Sequence, residues 1–245
     1  MHGFLSSRAQ WRLNLDSLAS VCRPVVVELW GHGRSPAADH PAAYSLNSYL
    51  DIFDALRREL GAARWFVCGQ SFGAGLVLHY ALRHPQQVQG VIFSNSMSAL
   101  SLPESMDRRD RAVAAANRIE AEGQAALRDL PFHPRFARRF PEQIKAEMLE
   151  DAERLDPRGI AYSILHTTPG LSAAAKFAQL AVPALLVNGR REIPFQPLRA
   201  LAAQWLPSLE LIDLDGGHSI NIECADAFNE AASSFIRRHG AASGE

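Results

Sequence analysis

Compact apolar runs alternate with stretches of helical period along most of this chain. The runs are Val25-Val26-Val27-Glu28-Leu29, Trp65-Phe66-Val67-Cys68, Val88 to Ser94, Pro183-Ala184-Leu185-Leu186-Val187-Asn188 and Leu209-Glu210-Leu211-Ile212-Asp213-Leu214. Each is four to seven residues long, the length of a buried strand and too short for a helix. Between them, Trp11, Leu15 and Leu18 repeat at helical spacing and stop before Pro24. Ser45 is a suitable cap for a helix from about Leu46 to Leu60, with Gly61 just past its end. Further helices are predicted from Leu76 to Leu82, halted by Pro85, from Gln196 to Trp205, and from Ala225 to Arg238 with Phe228 and Phe235 on one face. Strands alternating with helices in this way predict an α/β fold with a mostly parallel, doubly wound sheet.

The alternation breaks from about Met97 to Lys176. This stretch is rich in Ala, Arg and Glu, keeps a helical period through Val113, Ala116 and Ile119, and is punctuated by Pro131, Pro134, Pro141, Pro157 and Pro169. It predicts a helical cap, 97–176, inserted into a core made of 1–96 and 177–245. Its apolar residues Met97, Met106, Phe132, Phe136 and Phe140 fit either a partly apolar pocket or ordinary packing. The basic run Arg135 to Arg139 and the acidic stretch Glu142 to Asp156 read as a solvated face with internal ion pairs, ahead of an arginine offered to a substrate carboxylate. His133 and His166 read as surface or packing residues.

Charge narrows the partners. Lys+Arg 25 against Asp+Glu 26 gives a formal net charge of -1 over 245 residues, which offers nothing to nucleic acid or an anionic membrane and favours a small molecule. Cys22, Cys68 and Cys224 have no metal-ligand or C-x-x-C spacing, and they read as reduced thiols of a cytoplasmic protein. No run reaches membrane-spanning length. No spacing implies a metal or organic cofactor, and oligomeric state is not legible.

The chemistry centres on Gly69-Gln70-Ser71-Phe72-Gly73, set between the apolar run at Trp65 and the helix at Leu76. Strand, G-x-S-x-G and helix in that order place a serine on a sharp, strained turn, and a Cβ at Gly69 or Gly73 would collide with the neighbouring elements. A serine hydroxyl needs a base. His218, after a strand and the pair Gly216-Gly217, titrates near neutrality and sits on a loop free to reach Ser71. Phe72 directly follows the serine at the start of a helix, so its N–H is a candidate donor to an oxyanion.

His2-Gly3-Phe4, Gly31-His32-Gly33-Arg34-Ser35, the Gly69 to Gly73 turn, Gly189 to Glu192 and Gly217-His218 follow one another at predicted strand ends. In that conjunction the chain resembles the α/β-hydrolases over nearly its whole length. The resemblance implies Glu192 as the acid that orients His218, where aspartate is the commoner residue, and Phe4 as the second oxyanion donor. Asp213, Asp215 and Glu223 are the rival acids. The family also carries a central strand leading into the His2-Gly3-Phe4 loop, beside the runs at Val25 and Trp65. This chain has no residues to make it, so either the flanking strands close up or their edges stay unpaired, and a strand-forming segment upstream of Met1 is the expectation.

A serine at this position sets the chain apart from the haloalkane dehalogenase and epoxide hydrolase branches, which place aspartate there. Hydrolysis of a small carboxylic ester, thioester or lactone is the first expectation. Cleavage of a carbon–carbon bond in a vinylogous diketone is the second, and a catalytically weak small-molecule receptor the third.

Overall fold

A computed structural model describes residues 1–102 and 106–240. Along the chain lie α1 (Leu15–Ala19), α2 (Leu46–Glu59), β1 (Trp65–Gly69), α3 (Phe72–Arg83), β2 (Val88–Ser94), α4 (Met97–Leu100), α5 (Met106–Glu122), α6 (Gln124–Asp129), α7 (Glu142–Ala152), α8 (Pro157–Tyr162), β3 (Ala184–Gly189), α9 (Gln196–Trp205), β4 (Glu210–Leu214), α10 (Ile220–Glu223) and α11 (Ala225–Gly240). The strands form one parallel sheet in the order β1-β2-β3-β4.

Strand periodicity divides the sheet's side chains between two cores. Val91 and Phe93 of β2 and Leu186 of β3 pack with Leu76, Val77 and Phe53 from α3 and α2. Ile92, Leu185 and Val187 turn the other way, onto Phe228 and Phe235 of α11 and onto Trp11. Burial on both faces explains why these strands read as continuous apolar runs. Ser45 caps α2 as its position predicts, its hydroxyl accepting from the Ser48 N–H at 3.2 Å.

Two predicted elements differ. The stretch from Trp11 to Val21 is a 3-10 turn over Arg8–Trp11 followed by the five-residue α1, with Ser7 accepting from the Ala9 N–H at the start of the turn. The predicted strand at Val25 to Leu29 makes no ladder and lies outside the sheet. A strand is defined by its partners, and among the described residues no strand lies between this segment and β1 to supply them. A cavity of about 340 Å³ lies there instead, lined by Val25, Val26 and Val27, by Trp65 to Cys68 and by Met1. The flanking segments therefore have not closed up. Alternation along β1 turns the Phe66 and Cys68 N–H groups away from β2, towards this side. Among the described residues, cross-pairing there is confined to the end of β1: the Met1 ammonium donates to the Cys68 carbonyl at 2.7 Å and the Gln70 N–H donates to the Met1 carbonyl at 3.1 Å. Burial lowers the ammonium's pKa.

Between β2 and β3 the chain passes through α4 to α8. Ala116, Ile119, Leu127 and Ile160 from this stretch form a separate core that also receives Leu5, so the inserted helices rest on the His2-Gly3-Phe4 loop. Phe132 and Phe136 are exposed, and Phe140 packs against the cluster of Ile144 and Met148. The side chain of Met106 lies outside the described residues. His133 is buried and accepts from the Arg135 N–H at 3.2 Å, while His166 is exposed beside the Tyr162 ring. Arg135 pairs with Asp129 and Arg128 with Glu153 within the insertion. The three cysteines are free. Among the described residues no helix is long and apolar enough to cross a membrane.

Candidate active site

Ser71 stands at the carboxyl end of β1 with φ 52 and ψ -113, a left-handed backbone that a non-glycine residue adopts only under constraint from its surroundings. The constraint is visible at the flanking glycines. A Cβ on Gly69 would fall 2.3 Å from the Gly73 carbonyl oxygen, and one on Gly73 would fall 2.5 Å from the Met1 carbonyl oxygen. The Ser96 hydroxyl, just after β2, donates to the Ser71 carbonyl at 2.7 Å and braces the turn from the side.

Glu192 and His218 come from the loops after β3 and β4, and the structure brings them together: His218 Nδ1 and Glu192 Oε1 are 2.9 Å apart. Glu192 Oε2 is buried with no hydrogen-bond partner, so the imidazole is this carboxylate's polar contact among the described residues. A carboxylate on Nδ1 fixes the tautomer that leaves Nε2 able to accept a proton. The rival acids are engaged elsewhere. Asp213 is bound by Arg199 and Asn188; burial raises its pKa, but these hydrogen bonds outweigh that and leave it lowered. Asp215 pairs with Arg191, whose hydrogen bonds lower its pKa. Glu223 accepts from the Gly217 N–H at 2.9 Å and from Arg139 at 3.2 Å.

The two loops are stitched to each other. Arg190 N–H donates to the Leu214 carbonyl and Arg191 N–H to the Gly216 carbonyl, at 3.0 and 2.9 Å. Asn95, fully buried after β2, both donates to the Gly189 carbonyl and accepts from its N–H, each at 2.9 Å. Gln196 holds the Glu192 carbonyl at 3.0 Å.

Phe72 is the first residue of α3, where an N–H has no intrahelical acceptor and the helix dipole favours negative charge. Phe4 lies beside it, with the two rings 5.5 Å apart. It occupies a turn closed by Ser6 N–H on the Gly3 carbonyl, with Leu5 at φ 56. Two buried histidines support that turn. The Leu29 N–H donates to His2 Nε2 at 3.1 Å, and the His32 ring lies tilted at 5.1 Å from His2 and edge-on at 5.9 Å from Phe4. Burial holds both neutral, pushing His32 down to about 4 and His2 well below its ordinary value.

Other supporting residues escaped the sequence pattern. Gln70 Nε2 donates to the His218 carbonyl at 3.0 Å, joining the elbow to the histidine loop. Gln10 accepts from the Gly3 N–H at 2.8 Å, and Asn221, three residues past His218, donates to the Gln10 carbonyl at 2.9 Å. Gln70 stood inside the G-x-S-x-G motif, but nothing local in the sequence joins Gln10 to Asn221 across 211 positions.

The family model described as the alpha/beta hydrolase fold matches residues 1–225. The chain belongs to the α/β-hydrolase fold family. Among curated α/β-hydrolase relatives, it is 24% identical to a candidate 2-succinyl-6-hydroxy-2,4-cyclohexadiene-1-carboxylate synthase of Bacillus subtilis (strain 168), with 96% of this chain and 88% of that protein covered. It is 28% identical to a 2-hydroxymuconate semialdehyde hydrolase of Pseudomonas sp. (strain CF600), with 96% and 83% covered. A thermophilic esterase from Thermogutta terrifontis superposes with a TM-score of 0.83 at 19% identity, covering 97% of this chain and 88% of that one. At that identity the likeness shows the α/β-hydrolase fold alone.

Proposed function

We propose that this α/β-hydrolase is a serine hydrolase that cleaves small carboxylic esters through an acyl-enzyme. The observation that carries the reading is the 2.9 Å contact of Glu192 with His218, on a loop that Gln70, the residue before Ser71, holds by a hydrogen bond to the His218 carbonyl at 3.0 Å. Ser71 is the nucleophile, His218 the general base and acid, and Glu192 the orienting carboxylate. The Ser71 hydroxyl attacks the ester carbonyl carbon as its proton passes to His218 Nε2. The N–H groups of Phe72 and Phe4 receive the resulting oxyanion. The carbon–oxygen bond to the alcohol then breaks, and His218 returns the proton to the departing alkoxide. Water attacks the acyl group in the same manner, and Ser71 is released with the carboxylic acid. The 97–176 segment serves as the cap, and the substrate is a neutral or weakly charged small molecule.

One observation favours a second reading. A relative aligned over 96% of this chain is named for hydrolysis of a semialdehyde, which fits cleavage of a carbon–carbon bond in a vinylogous dicarbonyl at the same serine. A panel of short and long p-nitrophenyl esters beside a vinylogous diketone, run with Ser71→Ala as control, decides. Ester turnover lost in the control supports the first reading, diketone cleavage alone supports the second, and binding without turnover of either leaves a receptor.

A further inference from the structure

The residue immediately before His218 is gripped by two side chains that neither the fold nor the proposed chemistry requires. Glu223 Oε2 accepts from the Gly217 N–H at 2.9 Å and from Arg139 Nη1 at 3.2 Å. The fit is close: a Cβ on Gly217 would fall 2.7 Å from Arg139 Nη1 and 2.9 Å from Glu223 Oε1. Glu223 closes α10, the short helix that follows His218, so its bond to Gly217 folds the histidine loop back on itself. Arg139 arrives from the inserted segment, 84 positions away in sequence. Its partner lies outside the inserted segment, whereas Arg135 is paired within it.

The two ends of this pair differ in burial. The Glu223 side chain is 9% exposed and that of Arg139 is 53% exposed. An exposed ion pair contributes little by itself. A buried carboxylate behaves otherwise, because one left without its cation draws in water or swings outward to find it. If Glu223 swings out, the Gly217 N–H is released, and the position of His218 is no longer fixed from its amino side. The Gly217 carbonyl also packs on Gly189, where a Cβ would meet it at 2.0 Å, so a shift at Gly217 is felt in the loop that carries Glu192.

We infer that Arg139 and Glu223 form a latch through which the inserted helices set the position of His218, making both positioning residues for the proposed reaction. The inference rests on the Ser71 and His218 reading for its consequence in turnover, but the latch itself has a readout that needs no turnover. Arg139→Gln, Arg139→Lys and Glu223→Ala are compared with the unaltered full chain in p-nitrophenyl acetate hydrolysis and in hydrogen exchange at the Gly217 amide. In Arg139→Gln, kcat should fall about tenfold with KM within about twofold, since a small displacement of a catalytic group acts on the reacting geometry and leaves binding intact. Arg139→Lys should restore most of the loss, and Gly217 exchange should quicken by about tenfold in Arg139→Gln and more in Glu223→Ala, which removes the acceptor. Unchanged Gly217 exchange in both Arg139→Gln and Glu223→Ala overturns the latch. A raised KM with kcat intact also overturns it, and makes Arg139 a substrate contact instead. If the unaltered protein shows no hydrolysis that Ser71→Ala abolishes, the reading of the site fails, while Gly217 exchange still decides whether the latch exists.

Discussion

Behind Ser71, the loops after β3 and β4 are joined by backbone hydrogen bonds at Arg190 and Arg191, by Asn95 bonded at both ends to Gly189, and by the ion pair of Arg191 with Asp215. In front of it, the turn carrying Phe4 is hydrogen-bonded to β1 through Met1, beside a cavity of about 340 Å³, with Val25 to Leu29 outside the sheet. The rear holds its geometry by dense polar satisfaction around paired strands. The front holds its geometry by buried rings, His2 and His32, and by Gln10 and Leu5 reaching to the neighbouring elements. Placement of Glu192 and His218 is thus over-determined, whereas the turn carrying Phe4 depends on a few long-range contacts.

The largest effect should come from breaking the rear directly. A methyl group at Gly189 meets the Gly217 carbonyl at 2.0 Å, backbone against backbone, and no side chain can move aside. Gly189→Ala should therefore separate the Glu192 and His218 loops, lowering kcat by about a hundredfold or leaving the chain unfolded, read by turnover and thermal melting. Near-normal turnover and melting would show that the rear is looser than its hydrogen bonds imply.

Packing gives the next contrast. Leu185, fully buried in β3, should cost about 2–5 kcal/mol when cut to Ala, because its neighbours cannot collapse into the space. Val26 already borders the cavity, so Val26→Ala should cost less than about 1 kcal/mol in urea unfolding. Equal losses would mean that the front is as tightly filled as the rear.

Acid should weaken the front selectively. His32 is held at about 4 by burial, and His2 is depressed in the same direction. As pH falls below the unfolded value near 6.5, the unfolded chain takes up protons that the folded one refuses, so stability is full above 6.5 and drains towards 4. His32 alone accounts for about 3 kcal/mol of that slope. Urea midpoints between pH 8 and 4.5 should fall accordingly, and His32→Asn should flatten the lower part of the curve. The smallest effect is local: the Phe66 amide, turned to the cavity, should exchange faster than the Val67 amide, which faces β2.

The same contrast governs what could be read from the sequence. Trp65 to Gly69, Val88 to Ser94 and Ala184 to Gly189 announce themselves as strands because burial on both faces makes them continuously apolar. The turn at Ser71 was legible because Gly69 and Gly73 must flank a chain that turns so sharply. Val25 to Leu29 has strand composition too, but its state depends on a neighbour, and composition carries no record of whether that neighbour is present. Trp11 to Val21 has the apolar spacing of a helix, yet Asn14 is drawn into buried bonds with Asn221 and Asn229, and the helix is split there. Arg139 read as one more surface charge, since its contact with Glu223 spans 84 positions and leaves no local pattern.

The central claim is that Ser71 is activated through His218 by Glu192. Its most direct test is the rate at which a fluorophosphonate labels the protein, with the modified residue located by mass spectrometry. One phosphonyl group should appear on Ser71, be absent in Ser71→Ala, and form about a hundredfold more slowly in Glu192→Gln, because the amide cannot hold His218 in the tautomer that accepts the serine proton. Labelling of Glu192→Gln at the unaltered rate, or labelling at a residue other than Ser71, would contradict it.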